Sequence, residues 1–397
     1  MADRKDLPLY QMIADEKELK WFFDHVIQRP QVNESYSMVF VSRHKKLTKE
    51  EQETIGLTRA ESEFLATQAI KLRSIKNSSE ENNEFRWTFE EFLKHIRRFN
   101  VDKYAYTTAL GEPIPSKTLA IIFYINPADD MTVADNMINQ LLEVKTAISK
   151  AMLGGKTTTD NIQSFQVFGN IESNVKHLKA QCKGTSYWID YDLDVPAWFK
   201  ENTMGEFGNG KAINFFSEIK TWEDWTRELS KIKGQVFFTN ATYMEGLRAL
   251  LNLYFGKGNY IIVDTSGGFH ILVRTTAIKS NPHQFCLDIK ALYETGIVNG
   301  NPAYIDEKGQ CKFECILNGS HQTYNPEAEK EAKEAVEHLQ DLQAQGLITQ
   351  REFKILRRSL YDSLKTKDNK TSIPGIPLPG TYQYDRPVTV LNKEDFD

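Results

Sequence analysis

The sequence predicts a mixed α/β (α+β) fold in which short strands alternate with amphipathic helices. Residues 36–41 and 119–125 are apolar runs of strand length, and residues 186–193 end in alternating aspartates and apolar side chains. Residues 133–152 carry apolar side chains at helical spacing soon after the second run. Strands of this length that alternate with helices are typical of α/β domains.

The first half of the chain is predicted to contain two strands separated by helical stretches. Residues 1–30 read as a short helical lead-in, and the first strand runs straight into a basic loop at residues 43–46. The charged stretch 48–99 is predicted to be helical. The second strand stops at Asn126-Pro127, because proline cannot donate a hydrogen bond to a strand ladder.

The second half is predicted to continue this alternation with five strands and one long helix. Two of its strands are joined by a tight turn at Gly267-Gly268, since glycine tolerates backbone conformations that other residues avoid. The predicted elements are strands at residues 186–193, 236–239, 260–264, 269–274 and 311–317, a helix at 243–255 and a hairpin turn at 306–310.

Residues 325–367 differ in kind, being rich in Ala, Glu, Lys, Gln, Leu and Arg with apolar residues at helical spacing. They are predicted to form a helical hairpin. Its second helix has a capping box, with Thr349 as N-cap and Glu352 three residues later. Because no repeat or low-complexity linker divides the chain, residues 31–397 are predicted to be one domain and the hairpin an insertion in it.

The composition predicts a globular protein without a membrane anchor. The 397 residues are 40% hydrophobic, which is ample for a core. The longest apolar run, residues 119–125, is far shorter than the ~20 residues that a membrane helix needs. Four cysteines in so long a chain do not make a disulfide framework. A reducing cytoplasm is therefore expected, either of a bacterium or of an infected host cell.

The net charge of −5 does not exclude a nucleic-acid partner, because basic patches can line a groove on an acidic protein. Taken singly, such clusters are most often solvated surface. The candidate patches are Arg43, His44, Lys45 and Lys46, then Lys94, Arg97 and Arg98, and later Lys354, Arg357 and Arg358.

The most informative motif is a strand that ends in alternating aspartates, Asp190, Asp192 and Asp194. Side chains two apart on a strand share a face, so these carboxylates project together while Tyr191 and Leu193 point into the core. Adjacent carboxylates repel, and Mg²⁺ or Mn²⁺ would neutralise them with the hard oxygen ligands that these ions prefer. Taken alone, acidic residues at the end of a strand before a proline-containing loop are more often a solvated turn than a metal site.

A second motif is the turn Ser266-Gly267-Gly268 and the strand that follows it. A serine followed by two glycines in a tight turn exposes backbone N–H groups, which suit an anion such as a triphosphate. Period-two alternation then places His270 and Arg274 on the same face of the strand. A plain Gly-Gly hairpin, with a histidine hydrogen-bonded in the sheet, is the alternative.

The order of these motifs resembles that of the archaeo-eukaryotic primase superfamily. Its members carry Asp-x-Asp at the end of one strand, here Asp190 and Asp192, and Ser-Gly-Gly-Phe-His on a later strand, here residues 266–270. A third similarity is the Pro-Gly-Thr turn at residues 379–381 with the strand after it, which resembles viral and plasmid members. The resemblance implies a primase-polymerase-type domain with a mainly antiparallel central sheet flanked by helices.

Carried over residue by residue, the resemblance implies that Asp190 and Asp192 hold two Mg²⁺ or Mn²⁺ ions. It also implies that Ser266 and His270 bind the triphosphate of an incoming nucleotide. One ion would lower the pKa of the attacking 3′-hydroxyl, and the other would stabilise the leaving pyrophosphate. Arg274 is a further candidate from the strand alternation alone, placed to supply positive charge to the phosphates or the template.

The superfamily also uses a third acidic residue, and two candidates stay open. Asp306 follows three residues that resemble the family's hydrophobic-hydrophobic-Asp pattern. Glu314 lies on the predicted strand 311–317, on the face opposite its apolar side chains. Asp362 and Asp368 lie nearer the Pro-Gly-Thr turn, but in a predicted helix and a polar loop.

Some primase subunits carry zinc, and the cysteines and a nearby histidine of this chain are possible ligands for it. Cys311 and Cys315, four apart on an extended strand, would be ~13 Å apart at ~3.3 Å per residue, too far to share one ion with Zn–S bonds of ~2.3 Å. The sequence therefore favours buried structural cysteines over a zinc site that also used His283 and Cys286.

The function predicted from these motifs is template-dependent nucleotide joining by a DNA primase or primase-polymerase. The expected partners are a single-stranded DNA template and ribo- or deoxyribonucleoside triphosphates. The sequence lacks a Gly-x-x-x-x-Gly-Lys-Ser/Thr loop, so a separate replicative helicase is expected. The alternatives are an end-joining repair polymerase, a non-catalytic DNA-binding replication protein and a metal-dependent nuclease.

Overall fold

The computed structural model is an α+β protein built on two antiparallel β-sheets. No helix in the described part of the chain is long and apolar enough to cross a membrane. The structure describes residues 9–58, 68–73, 87–152, 182–195, 219–232, 240–278, 282–294, 297–298, 301–302, 313–318, 343 and 373–396.

The helices and strands are named in chain order. The helices are α1 (Glu16–His25), α2 (Lys49–Ile55), α3 (Phe89–Arg97), α4 (Asp130–Met152), α5 (Trp222–Ile232), α6 (Asn240–Phe255) and α7 (Pro282–Glu294). The strands are β1 (Glu34–Ser42), β2 (Gln68–Arg73), β3 (Leu119–Tyr124), β4 (Ala128–Asp129), β5 (Trp188–Asp194), β6 (Tyr260–Asp264), β7 (Gly268–Arg274), β8 (Ile297–Val298), β9 (Asn301–Pro302), β10 (Glu314–Asn318), β11 (Gly375–Pro377), β12 (Tyr382–Gln383), β13 (Arg386–Pro387) and β14 (Thr389–Val390).

The first sheet has the order β11-β3-β1-β2, with β4 also paired to β1. The second sheet has the order β10-β5-β7-β6-β14, so the aspartate strand β5 lies between β10 and β7. All of these pairs are antiparallel. Two short hairpins, β8–β9 and β12–β13, complete the described sheet structure.

The second sheet is covered on both faces, which accounts for its long apolar strands. One face packs Tyr191 and Ile271 against α6 and α7, where Leu250 and Phe285 are fully buried. Side chains of the opposite face join the core of the first sheet, which also includes α1 and α3. They are Trp188, Ile261, Val263, Leu272 and Val390.

Asn126 fixes the start of β5 against the end of β3. Its side-chain oxygen accepts hydrogen bonds from the N–H groups of Tyr187 (2.9 Å) and Trp188 (3.0 Å), and its amide donates to the Trp188 carbonyl (2.7 Å). The Asn126 side chain is buried, and these three hydrogen bonds pair both its oxygen and its amide nitrogen. The aspartate strand is therefore held in one position relative to the first sheet.

The prediction that residues 48–99 are helical is wrong for one segment. α2 and α3 lie at the two ends of this stretch, but β2 lies between them and pairs with β1 from Ser35↔Arg73 to Phe40↔Gln68. The sheet partner supplies the hydrogen bonds of this charged segment, and tertiary pairing overrides its local propensity.

The lead-in at residues 1–30 contributes directly to the core. α1 begins at its N-cap Asp15, whose side chain accepts from the N–H groups of Lys17 and Glu18. Leu19 and Phe22 on α1 are fully buried in the core of the first sheet. The helix is therefore part of the fold and not an appendage.

The other predicted strands and helices agree with the structure to within a few residues at each end, as far as it describes them. The predictions that lie outside the described residues are the strand at 236–239, the hairpin turn at 306–310 and the helical hairpin at 325–367.

Candidate active site

Strand β5 places three aspartates on one face of the second sheet. Asp190 is fully buried, Asp192 is partly exposed and Asp194 is exposed, so the row runs from the core outward. Tyr191 and Leu193 point to the other face and are buried against α6 and α7. The predicted alternation of this strand is confirmed by its packing, because Tyr191 and Leu193 belong to the core beside α6 and α7 while Trp188 belongs to the core of the first sheet.

The two neighbouring strands put further polar groups on the face that carries the aspartates. On β7, His270 is the register partner of Asp192. On β10, Asn318 is the partner of Asp190 and Glu314 the partner of Asp194. Directly opposed residues in an antiparallel pair share a face, so these polar side chains lie on the face of the aspartates, together with Ile316 and Leu272.

His270 and Asp190 form a buried ion pair. His270 Nδ1 lies 3.0 Å from Asp190 Oδ2 and 3.2 Å from Oδ1, and Asn318 Nδ2 donates to Oδ2 at 3.0 Å. Burial lowers the pKa of His270, but the charge and hydrogen bond of Asp190, with the charges of Asp192 and Asp194, outweigh it and raise the pKa to about 9. His270 is therefore protonated at neutral pH.

Asp192 shares the positive charge of His270 with Asp190. Its side chain is 40% exposed, and its Oδ1 lies 3.8 Å from His270 Nε2. Burial raises the pKa of Asp192 to about 6; His270 opposes this rise, while Asp190, Asp194 and Glu314 add to it. A bound cation would relieve this repulsion.

The turn Ser266–Gly268 meets this row at the start of β7. The Ser266 N–H donates to Gln383 Oε1 (2.7 Å), and the Gly268 N–H donates to Thr265 Oγ1 (3.3 Å). In the described part of the chain, the Gly267 N–H and the buried Ser266 Oγ have no hydrogen-bond partner. The turn therefore has fewer spare donors than the sequence suggested.

Gly268 lets β7 approach β5 closely. A Cβ atom at this position would lie 1.9 Å from the Leu193 carbonyl oxygen, which is a severe clash with the backbone. A Cβ atom at Gly267 would lie 3.7 Å from Asp194 Oδ1, an ordinary contact. Of the two glycines, Gly268 is thus the one that steric contact requires, and it sets the spacing between the turn and the aspartate row.

The segment after the Pro-Gly-Thr turn reaches the same turn from the other side. Gly380 has φ +83°, and a Cβ atom there would clash with the backbone of Asp15 and Leu19. The chain then continues to Gln383, which holds Ser266, and to Arg386, whose Nη2 lies 3.2 Å from Asp264 Oδ2. The Ser-Gly-Gly turn and the segment that follows the Pro-Gly-Thr turn are therefore in contact.

The basic loop after β1 also approaches the aspartate row. Arg43 makes a side-chain hydrogen bond to Tyr384, and Lys46 Nζ lies 4.6 Å from the centre of the Tyr384 ring. Partial burial and the charge of Arg43 lower the pKa of Lys46, and the charge of Asp194 opposes this shift. Lys46 therefore lies within electrostatic range of the carboxylates.

Two predicted site residues have different positions relative to the pair of His270 and Asp190. Glu314 lies on the row opposite Asp194. Arg274 lies four residues beyond His270, which is ~13 Å along a strand, and its guanidinium lies 5.1 Å from the centre of the Trp188 ring. Arg274 is thus not brought to the aspartates.

The other candidates for a metal are only partly described. Asp306 and Cys311 lie outside the described residues. Cys286 on α7 and Cys315 on β10 share a hydrogen bond between their side chains, which lowers the pKa of Cys286 and raises that of Cys315. The two thiols lie on the α7 side of the sheet, away from the aspartate row.

Asp190 and Asp192 fit a divalent cation by residue type and by their shared face. Asp192 is exposed to a ligand, whereas Asp190 is already bonded to His270 and Asn318. Within the described ranges, no three His, Cys, Asp or Glu side chains are grouped closely enough to hold a metal. The described site therefore supplies one open carboxylate and one that would exchange hydrogen bonds for a metal.

Three residues of the site were not among the residues predicted from the sequence. Asn318 extends the predicted strand 311–317 by one residue and shares the face of Glu314, a signal that period-two alternation contained. Gln383 follows the Pro-Gly-Thr turn by two residues, but nothing local indicated that it binds Ser266. The position of Tyr384 likewise could not be predicted, because it depends on how the two sheets pack together.

Comparisons of the chain with protein-family models, curated proteins and solved structures found no match.

Proposed function

We propose that this protein is a template-dependent nucleotidyltransferase, a DNA primase or primase-polymerase acting on single-stranded DNA. The observation that carries the proposal is the open carboxylate of Asp192 beside the buried pair of His270 and Asp190. The Ser-Gly-Gly turn, which the motif order associates with a nucleotide triphosphate, begins the strand that carries this histidine. The primase-polymerase-type fold is part of the same proposal.

In this proposal Asp190 and Asp192 hold Mg²⁺ or Mn²⁺. The ions supply activation of the 3′-hydroxyl and stabilisation of the leaving pyrophosphate. His270 and Asn318 fix the orientation of Asp190 through hydrogen bonds of 3.0 Å each. The Gly267 N–H and the buried Ser266 hydroxyl have no hydrogen-bond partner in the described part of the chain, and in this proposal they would bond a phosphate oxygen.

The test is synthesis on a defined template. Purified protein is incubated with Mg²⁺ or Mn²⁺, labelled ribo- or deoxyribonucleotides, and single-stranded DNA with or without a primer. Short products on unprimed DNA that are lost in Asp192→Asn support a primase. Products on primed DNA alone indicate an end-joining repair polymerase, and degradation of the DNA indicates a nuclease.

A non-catalytic DNA-binding replication protein is the second candidate. The observation that favours it is the saturation of Asp190, whose carboxylate is bonded by His270 and Asn318. Such a protein would bind single-stranded DNA without needing Mn²⁺ and would give no products with any nucleotide set. Retained DNA binding together with absent Mn²⁺ binding would select this candidate. In either case unwinding would come from a separate helicase.

A further inference from the structure

The proposed triphosphate site lacks free positive charge where the sequence motifs placed it. His270 is paired with Asp190, and Arg274 lies over the Trp188 ring. Two N–H groups of the Ser-Gly-Gly turn are already bonded within the protein. Even with the proposed metal ions bound, the carboxylates of β5 and β10 offset much of the ions' positive charge, so cations from another element would favour binding of the strongly anionic triphosphate.

Two of the exposed cations on the short turn that follows β1 contact the same tyrosine. Arg43 and Lys46 are both exposed, and both contact Tyr384. Tyr384 is the neighbour of Gln383, which accepts the hydrogen bond from the Ser266 N–H at 2.7 Å. The two cations are therefore connected to the Ser-Gly-Gly turn through two adjacent residues.

The position of Tyr384 is fixed by the backbone. Tyr384 and Asp385 have φ values of 54° and 69°, the left-handed conformation expected at the tip of a tight β-hairpin. The Tyr384 N–H donates to the Leu119 carbonyl of β3 at 2.9 Å. This hairpin thus joins the first sheet to the turn of the second sheet, and Arg43 and Lys46 are anchored at the junction.

We propose that Arg43 and Lys46 form the cationic part of a polyphosphate-binding site, which receives the β- and γ-phosphates of the incoming nucleoside triphosphate. This inference rests on the proposed function. Arg43 supplies a planar donor group and Lys46 a point charge, and each is an established kind of phosphate ligand. Both cations contact Tyr384, and the charge of Asp194, the last residue of β5, acts on Lys46.

The test is equilibrium binding of fluorescent adenosine triphosphate, diphosphate and monophosphate in Mg²⁺ buffer at constant ionic strength. Arg43→Gln and Lys46→Gln should each raise the Kd for the triphosphate about tenfold or more, since a charge-assisted hydrogen bond contributes about that factor. The Kd for the monophosphate should change by only about twofold, because the distal phosphates make the contact. Unchanged melting temperatures would show that the variants fold.

Lys45→Gln is the matched control, because Lys45 is exposed on the same turn while Arg43 and Lys46 make the contacts with Tyr384. It removes the same charge and should leave triphosphate affinity within about twofold of wild type. An equal loss in Lys45→Gln, or none in Lys46→Gln, would overturn the inference.

Single-stranded oligonucleotide binding separates this inference from its rival. A loss of DNA affinity without a loss of triphosphate affinity would assign Arg43 and Lys46 to the template and overturn the proposal. If wild type makes products while Lys46→Gln binds triphosphate normally, this inference alone fails. If wild type neither binds triphosphate nor makes products, the proposed function fails with it.

Discussion

His270 Nδ1 lies 3.0 Å from Asp190 Oδ2, although 80 residues separate them along the chain. The two residues meet because β5 and β7 are adjacent and paired from Trp188↔Arg274 to Asp194↔Gly268. Asp190 has no solvent exposure, and its carboxylate accepts hydrogen bonds from His270 and Asn318. The pair therefore links the stability of the second sheet to the protonation of one imidazole.

The first prediction concerns pH and His270. The pKa of His270 is raised to about 9 in the folded protein, against the ordinary value of 6.5, so its stabilising effect is complete below pH 6.5 and is lost as the pH rises through 9. His270→Gln should lower the free energy of unfolding by about 3 kcal/mol at pH 6 in metal-free protein. The difference in the free energy of unfolding between the variant and wild type should shrink above pH 9. Urea unfolding from pH 6 to 10 measures this, and parallel curves for the two proteins would contradict it.

Asp192→Asn should abolish nucleotide addition and yet stabilise the metal-free protein. The folded-state pKa of Asp192 is raised to about 6 from 3.8, so the ionised form destabilises the fold above pH 6 and the effect vanishes below pH 3.8. With a discount for its partial exposure, the gain at pH 7.5 should be about 1 kcal/mol. Thermal melts at pH 7.5 and pH 4 check the sign. Asp135→Asn, at an exposed position on α4, is the control.

The two glycines of the turn should respond differently to alanine. Gly268→Ala places a methyl group against the Leu193 carbonyl, and a backbone clash of this kind should cost about 4 kcal/mol or more, enough to reduce soluble yield. Gly267→Ala meets only an ordinary contact and should fold as wild type. Soluble expression and urea midpoints compare the two variants directly. Equal stability would mean that β7 can move away from β5 at little cost.

Mn²⁺ binding distinguishes direct ligands from nearby charges. Glu314 is the register partner of Asp194 and not of Asp192, so Glu314→Gln should weaken Mn²⁺ binding only about threefold. Asp192→Asn should weaken it about tenfold or more, because a ligand is lost. Electron paramagnetic resonance titration of free Mn²⁺ measures both. A tenfold loss in Glu314→Gln would make Glu314 a ligand, and such a loss in Asp306→Asn would select the other candidate.

The strands and faces of the site could be predicted from the sequence because period-two alternation is a local signal. It placed Asp190 and Asp192 on one face of β5, and His270 and Arg274 on one face of β7. The pairing of His270 with Asp190 was not predictable, because it depends on the register between strands that are distant in sequence. The contact of Gln383 and the strand β2 were not predictable for the same reason, because their hydrogen-bond partners are distant in sequence.

The part that residues 1–30 play in the core could be predicted in part from their sequence pattern. Leu19, Phe22, Phe23 and Val26 have the spacing of a buried helical stripe, which indicates a core helix. What the pattern could not show is the partner of Glu18, a buried carboxylate that accepts from the Val390 N–H at 2.7 Å and also bonds Lys393. A buried acidic side chain of this kind needs the tertiary structure to explain it.

The contact between Glu18 and Val390 has a consequence for biosynthesis, since the two residues lie 372 positions apart. The ribosome makes α1 long before β14, the edge strand that pairs with β6. Glu18 on the emerging helix therefore lacks its partners Val390 and Lys393 until both residues have left the exit tunnel. A nascent chain stalled before that point should remain sensitive to protease and should engage chaperones, however complete its first sheet is.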